Sequence, residues 1–489
     1  MDVRSPCPGP RRQEYCGLSR RHFLAASASL PVAFATAARA NPATPPANLI
    51  VERRTIDVHG RSASVFGIVQ PNGTPGLVLN PGQRFTTVVT NRCGEATIIH
   101  WHGQSPPFLQ DGVAETGGAI IEPGTAQTYD FAASPGTHWM HSHHGLQEQS
   151  LLAAPLIVRT AEDMRADAQE VIVLLHDFTF QDPAEVLASI TNPARAAAVM
   201  PGMSMAQTGA SPTPSGVGQD LNDADYDAYL ANDRTLADPL VVGAEAGGRI
   251  RLRLINGATS TAFWINTGNL DGTVIAADGN PVIPIAGRRF PIAQGQRLDV
   301  LVDLPKSGGA FPILAQREGG RQCTGIILAT TGATVPKLSE MAETEAAPID
   351  LSLERRLIAV TPLPSSDVGI THRVALTGSM SPYVWSIDDH TWMDHRPLRV
   401  AKGQRVVLEM TNRSGMAHPM HLHGHHFQVI ALDGAPRAGA IRDTVLVPVN
   451  GTVTVAFDAD NPGRWLFHCH NLFHMASGMM TELVYDDVA

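Results

Sequence analysis

The chain alternates short apolar runs with turn-forming residues. β-branched and aromatic residues fill runs such as 85–92 and 406–413, and glycine, proline or asparagine bounds the runs. The 44 Gly and 36 Pro are spread over the whole length, which favours many short strands over long helices. The sequence therefore predicts an all-β protein of antiparallel sandwiches with Greek-key connections. No run reaches the ~18 consecutive apolar residues that a membrane-spanning helix needs.

Two segments of the sequence recur along the chain. The segment 82–92 reappears as 403–413, and a weaker copy covers 248–256. A second segment, 135–143, ends in histidines and recurs as 462–470 near the C-terminus. Triplication of one β-rich unit explains both recurrences, with metal chemistry kept in the outer copies and lost from the middle one.

The middle third differs from the outer thirds. It has residues 294–300 but no histidine-rich ending after them. A stretch rich in Ala, Met, Ser, Pro and Gly, 182–223, predicts a helical or mobile insertion. With boundaries near residues 160 and 340, the predicted organisation is a leader followed by three units: 1–40, 41–160, 161–340 and 341–489.

The first forty residues have the features of an export signal. Paired arginines within 19–24 precede a weakly apolar run, 25–38, and residues 38–40 offer a small-residue cleavage site. The segment resembles a twin-arginine signal, which predicts export by the twin-arginine machinery to the periplasm. A basic N-terminal tail is the alternative. Since the twin-arginine route carries folded proteins, it also suits a protein that binds a cofactor.

Charge argues against nucleic acid as a partner. The chain has 36 Lys and Arg against 46 Asp and Glu, and the leader holds six Arg and two acids, so the remainder carries a net charge of −14 (30 minus 44). Such a surface lacks the clustered Lys and Arg that phosphates require. Without the leader, three cysteines remain, Cys93, Cys323 and Cys469. Because three is an odd number, one thiol is expected to have another role.

Four His-x-His pairs indicate a metal site with several ions. Residues i and i+2 of a strand point to the same face, so each pair offers two imidazoles side by side. One such pair is often accidental, but four of them, two in each outer unit, are not. Imidazole suits copper, zinc or iron. The pairs are His100 and His102, His141 and His143, His421 and His423, and His468 and His470.

A second ligand set surrounds Cys469. Its neighbours His468 and His470 must point to the opposite face of the strand. His474 and Met479 follow it, and His418 lies in the other histidine-rich motif. Two histidines, a thiolate and a weak axial methionine form the ligand set of blue-copper sites, whereas structural zinc, the alternative, has no use for a thioether. The pattern predicts that electrons pass from this copper to the histidine cluster through Cys469 and its neighbours.

Together these motifs resemble the multicopper oxidases of the bacterial laccase-like and copper-resistance type, over essentially the whole chain after the leader. The resemblance implies three cupredoxin-like Greek-key β-sandwich domains and four copper ions: one of type 1, one of type 2 and two of type 3. It places type 1 copper on His418, Cys469, His474 and Met479. It places type 2 copper on His100 and His421, and the type 3 pair on His102, His141, His143, His423, His468 and His470. Such an oxidase takes four single electrons from a donor and reduces dioxygen to two waters.

The resemblance also bears on proton supply. Asp111 matches the acid that these enzymes place near type 2 copper to assist proton delivery, although an Asp before Gly112 also suits a turn. Many bacterial relatives carry a glutamate directly after the last type 1 histidine, and this chain has Met475 there. Protons on that side must therefore come from water or from another acid.

The electron donor is left open. The resemblance favours phenols and aromatic amines, with contact near His474. Cuprous ion is the alternative donor, because Met416 lies beside the type 1 motif and Met200, Met203 and Met205 lie in the insertion. However, Ser414 stands where an acid accompanies that methionine in cuprous oxidases. A protein that only sequesters copper would carry further Met and His repeats, and a copper-free scaffold would lack ligands.

Two cysteines have no place in this scheme. In an exported protein, Cys93 and Cys323 could form a bridge between the first and second domains. Two buried free thiols are the equal alternative.

Overall fold

The computed structural model describes residues 46–191 and 221–488. The predicted leader and the three methionines of the insertion, Met200, Met203 and Met205, lie outside the described residues. Within the described ranges, no helix is long and apolar enough to cross a membrane.

The first third forms a sandwich of two four-stranded sheets. Its strands are β1 (Ala47–Val58), β2 (Arg61–Val69), β3 (Leu77–Leu79), β4 (Phe85–Asn91), β5 (Ile99–His100), β6 (Ala126–Phe131), β7 (Gly136–Ser142) and β8 (Ala153–Val158). The sheet orders are β2-β1-β4-β6 and β3-β8-β7-β5. Every second residue of β4 is buried, which is the alternation that places one face of a strand on a core.

The middle third has two larger sheets and a helix. Its strands are β9 (Gln169–Phe178), β10 (Ala228–Ala231), β11 (Leu240–Ala244), β12 (Arg249–Asn256), β13 (Phe263–Asn266), β14 (Gly272–Ala277), β15 (Asn280–Gly287), β16 (Arg289–Ile292), β17 (Arg297–Asp303), β18 (Ala310–Arg317) and β19 (Cys323–Thr330). The orders are β10-β9-β12-β17-β14-β15 and β11-β19-β18-β13-β16. The helix α1 (Pro183–Thr191) lies in the predicted insertion.

The last third repeats this arrangement. Its strands are β20 (Ile370–Met380), β21 (Tyr383–Ile387), β22 (Leu398–Val400), β23 (Arg405–Asn412), β24 (His418–Leu422), β25 (Phe427–Leu432), β26 (Ala435–Pro436), β27 (Ile441–Arg442), β28 (Thr444–Val447), β29 (Thr452–Asp458), β30 (Arg464–Cys469) and β31 (Met480–Tyr485). The orders are β21-β20-β23-β29-β25-β26, with β27 on β25, and β22-β31-β30-β24-β28. The helix α2 (Leu472–Ala476) follows β30.

Each sandwich encloses its own apolar core. Each of the three cores includes a fully buried aromatic residue, Trp101 in the first, Phe263 in the middle and Trp385 in the last. In each sandwich, strands that are distant in sequence are neighbours, such as β1 and β4, which pair in parallel. This is the Greek-key type of connection. The prediction of an all-β fold with three sandwiches is confirmed, while the unit boundaries near residues 160 and 340 stay predictions.

The three cysteines of the described part are all free and buried. Cys93 Sγ lies 3.3 Å from the carbonyl oxygen of Glu95, and Cys323 Sγ lies 3.5 Å from that of Arg321. Cys93 and Cys323 are therefore two separate thiols in the structure and do not form a disulfide bond.

Candidate metal centre

Two strand pairs carry the histidines to one place. In the first sandwich, β5 runs antiparallel to β7, so that His100 lies opposite His141. In the last sandwich, β24 runs antiparallel to β30, so that His421 lies opposite His468. Because each His-x-His pair continues one of these strand ends, its two imidazoles lie on the same side of the sheet.

The two sets of imidazoles face each other across the interface of the outer sandwiches. The ring centroids of His100 and His423 are 3.8 Å apart, and those of His102 and His421 are also 3.8 Å apart. The Nε2 atoms of His423 and His468 lie 3.0 Å from each other. The structure therefore brings all four His-x-His pairs, from opposite ends of the chain, into one buried cluster.

The cluster has the features of a site built for metal ions. Several ring nitrogens are fully buried and have no hydrogen-bond partner, which is costly unless something else fills their lone pairs. These atoms are Nε2 of His100, His141, His143 and His421, Nδ1 of His102, and both ring nitrogens of His470. Their donor chemistry fits copper, zinc or iron.

Burial favours the neutral form of most of these imidazoles. It lowers the pKa of seven of the eight rings below the ordinary value for histidine, and neighbouring rings add to this effect. A neutral ring has a free lone pair, which is the form that binds metal. The seven are His102, His141, His143, His421, His423, His468 and His470.

Three buried acidic side chains lie against the outward nitrogens of the cluster rings. Asp111 Oδ2 lies 2.8 Å from His423 Nδ1, and its Oδ1 lies 3.3 Å from His100 Nδ1. Asp443 Oδ1 lies 3.1 Å from His102 Nε2, and Glu148 Oε2 lies 2.9 Å from His141 Nδ1. Each contact leaves the other nitrogen of the ring facing the cluster, as second-sphere carboxylates do in metal sites.

Cys469 forms a second site on the other face of β30. Its Sγ lies 3.6 Å from the Nδ1 atoms of both His418 and His474, and these two nitrogens are 3.1 Å apart. The side chains of all three residues are buried, as is that of Met479, the residue immediately before β31. Asn471 caps α2 by accepting from the backbone N–H of His474, which fixes this residue relative to the strand.

Burial raises the pKa of the Cys469 thiol above the ordinary value for cysteine. A thiol in such a place gives up its proton only to a strong compensating charge, such as a bound cation. The three donor atoms lie close enough together to share one ion. The arrangement therefore suits a mononuclear site whose thiolate lies between two strand neighbours that belong to the histidine cluster.

Glu148 lies near Met475, the residue that stands where many bacterial relatives carry a glutamate. Met475 and Glu148 line the same small cavity, together with four histidines of the cluster. Burial raises the pKa of Glu148 to about 8. Its Oε1 has no hydrogen-bond partner. This carboxyl group is thus a buried acid that lines the same cavity as Met475.

The His474 side of the Cys469 site is covered by another acid. His474 Nε2 lies 3.2 Å from Asp223 Oδ1, and neither side chain is exposed. Asp223 also accepts hydrogen bonds from the Tyr383 hydroxyl at 2.6 Å and from Asn471. Although burial opposes it, these partners hold the pKa of Asp223 below its usual range.

Met416 and Ser414 are the residues near His418 that the sequence analysis linked to the choice of electron donor, and both are buried. Met416 is 3% exposed and packs in the core of the last sandwich. Ser414 Oγ lies 2.6 Å from His418 Nε2, so its hydroxyl orients that ring. The thioether of Met416 therefore lies inside the protein in this conformation.

Three functional candidates were missed from the sequence: Glu148, Asp223 and Asp443. Each of these acids contacts a histidine. Asp443 and Asp223, however, are more than two hundred residues away in sequence from the rings that they contact, His102 and His474. Only Glu148 had a local signal, since it lies five residues after His143 in the turn Gln147–Ser150. An isolated acid of this kind looks like any other surface residue in the sequence.

Comparison with known proteins agrees with this geometry. Three family models, each described as multicopper oxidase, match residues 51–163, 169–335 and 369–488. Multicopper oxidase MmcO of Mycobacterium tuberculosis is 35% identical over 96% of this chain and 95% of its own length. Copper resistance protein A of Escherichia coli is 26% identical over 84% of this chain and 88% of its own.

A similar architecture occurs in solved structures. The laccase from Botrytis aclada superimposes with a TM-score of 0.72 at 24% identity, covering 91% of this chain and 89% of that one. This likeness concerns the fold, and it identifies the three sandwiches as cupredoxin-like domains.

Proposed function

The chain belongs to the multicopper oxidase family, and from this premise we propose that it is a laccase-like oxidase of phenols and aromatic amines. Four one-electron oxidations of the donor at a type 1 site are coupled to the reduction of dioxygen to two waters at a trinuclear cluster. One observation carries the proposal: Cys469 of the mononuclear site lies between His468 and His470 of the cluster in a single strand end.

The residues present fit four copper ions. His418, Cys469, His474 and Met479 would hold type 1 copper, and His100 and His421 would hold type 2. The type 3 pair would lie on the other six cluster imidazoles, His102, His141, His143, His423, His468 and His470. When bound, these ions supply single-electron transfer at type 1 and reduction of oxygen at the cluster.

The protein's own residues hold the ligands and exclude water. Asp111 accepts from the ring N–H of His423 and lies beside that of His100, so their opposite nitrogens face the cluster. Because Asp111 is fully buried beside two cluster rings, it also remains the candidate for proton delivery. The covalent path from Cys469 Sγ through the backbone to His468 joins the two sites without a gap.

The carboxylate of Asp223 over His474 favours electron donors that can donate a hydrogen bond. Since Asp223 covers His474 Nε2, a donor reaches the imidazole edge by contacting this carboxylate or by displacing it. A phenol O–H or an amine N–H offers the proton that a buried carboxylate accepts. The thioether of Met416 is buried, so it is not exposed to a soft cation in this conformation.

Reconstitution with copper followed by oxygen-uptake measurements tests the proposal. The expected results are a blue thiolate absorption and oxygen consumption with a phenol and an aromatic amine. Asp223→Asn should raise KM for these donors several-fold while leaving the blue absorption unchanged, with the exposed Asp225→Asn as the matched control. Blue protein that consumes no oxygen with any donor would instead indicate copper sequestration.

A second candidate is oxidation of cuprous ion. It is supported by the similarity to proteins named copper resistance protein A in Escherichia coli and Pseudomonas syringae. The same oxygen-uptake assay with cuprous ion as the only donor separates the two. Uptake that is fast with cuprous ion and absent with phenols and amines would replace the first candidate by the second.

We also propose that the protein is exported to the periplasm by the twin-arginine machinery. The support is the sequence of residues 19–40 alone. Replacing the arginine pair, Arg20 and Arg21, by lysines should leave the protein in the cytoplasmic fraction, and a normal distribution would contradict the route.

A further inference from the structure

Asp443 is a point where all three sandwiches meet. Its Oδ1 accepts from Nε2 of His102, which belongs to the first sandwich, at 3.1 Å. Both of its oxygens accept from the guanidinium of Arg297, the first residue of β17 in the middle sandwich. None of these three side chains is more than 1% exposed. One carboxylate of the last sandwich thus links a cluster imidazole to the sandwich that supplies none.

Arg297 has the geometry of a clamp. Its Nη1 donates to Asp443 Oδ1 at 2.7 Å and to the carbonyl oxygen of Gly295 at 3.0 Å. Its Nε donates to the carbonyl oxygen of Thr137, in β7, at 3.1 Å. A planar guanidinium holds a carboxylate by two parallel bonds, which fixes the orientation of the acid as well as its position.

The orientation of Asp443 decides which nitrogen of His102 faces the cluster. An ionised carboxylate only accepts hydrogen bonds, so Nε2 of His102 carries the proton and Nδ1 has the free lone pair. Nδ1 is the nitrogen of His102 without a partner, whereas the unpartnered nitrogen of His100, His141, His143 and His421 is Nε2. His102 is therefore presented to the cluster the opposite way round from these four rings.

The backbone is shaped to let the middle sandwich approach. Gly103 has φ of +86°, and a Cβ there would lie 2.4 Å from Arg297 Nη2 and 2.4 Å from His138 Nδ1. Gly295 has φ of +76°, and a Cβ there would lie 2.8 Å from His470 Cδ2. At both positions a side chain would displace Arg297 or a cluster imidazole, so glycine serves the contact between the sandwiches.

We propose that Arg297 is a positioning residue for the metal cluster: by clamping Asp443, it sets the ring orientation and tautomer of His102. The middle sandwich, which holds no ligand, thereby takes part in building the site between the other two. The inference rests on the proposed copper cluster.

The test compares Arg297→Gln with Arg253→Gln. Arg253 is the matched control, because it is also a fully buried arginine of the middle sandwich, but its acidic partners are Asp163, Glu170 and Asp299. Both variants are measured as apoprotein by 15N histidine NMR, with His102 assigned through His102→Gln. They are then loaded with copper and measured by metal analysis, by electron paramagnetic resonance of type 2 copper, and by the blue absorption.

In Arg297→Gln, we expect loss of the single Nε2–H tautomer of His102 in the apoprotein and a roughly 10- to 100-fold weaker retention of cluster copper. The blue absorption should persist, since Cys469 lies on the other face of β30. Arg253→Gln should match the wild type in all four measurements.

Two results would overturn the proposal. One is an Arg297→Gln protein with the wild-type His102 tautomer, copper content and type 2 signal; the other is an equal loss in Arg253→Gln. If Arg297→Gln does not fold, Arg297→Lys, which keeps the charge without the two parallel bonds, is judged by the same outcomes. Should the wild type bind no cluster copper, the proposed function fails, and the apoprotein spectra still decide the role of Arg297.

Discussion

The second sheets of the last and the middle sandwich have the same strand order, but only the sheet of the last sandwich carries candidate metal ligands. One runs β22-β31-β30-β24-β28 and the other β11-β19-β18-β13-β16, with a parallel pair at the same edge and antiparallel pairs elsewhere. Directly after β30, the N–H of His470 donates to the carbonyl oxygen of Pro419. Directly after β18, the N–H of Glu318 donates in the same way to that of Ala262.

The shared strand order shows that a sheet of this topology forms with or without the histidines. In the register that these hydrogen bonds set, His421 of β24 matches Trp264 of β13. The residues on either side of each, Met420 and Leu422 in one strand and Phe263 and Ile265 in the other, are all buried in apolar cores. The backbone ladder is the same because it depends on strand pairing, while the side chains decide whether the sheet holds copper or only a core. The loss of ligands in the middle copy was therefore compatible with keeping the fold.

The largest expected effect comes from a change in the sheet of the last sandwich that contains β24 and β30. Cys469→Ser should abolish the blue absorption and reduce oxygen turnover to background, because a hydroxyl cannot replace the thiolate as the electron carrier. Cys323→Ser, the change of a buried free thiol in the middle sandwich, is the control and should keep both properties. Blue colour that survives Cys469→Ser would refute the ligand assignment. Absorption spectra and oxygen uptake provide the measurements.

Asp111→Asn should lower turnover about 10- to 100-fold. The carboxylate accepts from the ring N–H of His423, while His100 Nδ1 bonds the backbone carbonyl of Asp111 and lies 3.3 Å from Oδ1. An amide oxygen can still accept from His423, but the NH₂ group would then lie against the ring N–H of His100. Asp130→Asn changes an exposed acid of the same sandwich and should have no effect. Steady-state oxygen uptake and the type 2 resonance measure the change, and normal values for both would exclude this role for Asp111.

The acid that follows β18 in the middle sandwich should affect stability. Burial raises the pKa of Glu318 to about 7, so the folded protein holds this proton more tightly than the unfolded chain does. Stability is therefore expected to fall as pH rises from about 4.5 to about 7, by on the order of 2 kcal/mol. Glu318→Gln should flatten this dependence in urea unfolding, because an amide oxygen can still accept from the Ile349 N–H.

The exposed acid Glu245 of the same sandwich provides the control for that experiment. Glu245→Gln should leave the pH dependence of unfolding as it is in the wild type. An identical pH dependence in Glu318→Gln and the wild type would show that Glu318 does not titrate in this range.

Removing copper should affect the two matching sheets differently. Metal that binds only the folded form of the sheet with β24 and β30 stabilises this sheet against local opening. Removing the metal with a chelator should therefore speed hydrogen exchange of the β24 and β30 amides about tenfold. The amides of β13 and β18 should change little. Mass-spectrometric exchange of holo- and apoprotein measures this, and an equal loss of protection in both sheets would contradict the comparison.

The sequence determined the fold class and the ligand candidates because both are written in local patterns. Short β-branched runs between turn residues predict strands, and the i, i+2 spacing of each His-x-His pair puts two rings on one face of a strand. The same parity sets Cys469 apart from His468 and His470. These features depend only on neighbours in the chain.

Tertiary structure alone decided which acids contact His102 and His474. Asp443 and His102 are 341 positions apart, and Asp223 and His474 are 251 apart, so no local spacing could pair them. The role of Arg297 also depends on how three sandwiches come together around one carboxylate. A hydrogen bond between distant residues is fixed by packing, because it depends on which strands and loops of the three sandwiches lie side by side and not on neighbours in the chain.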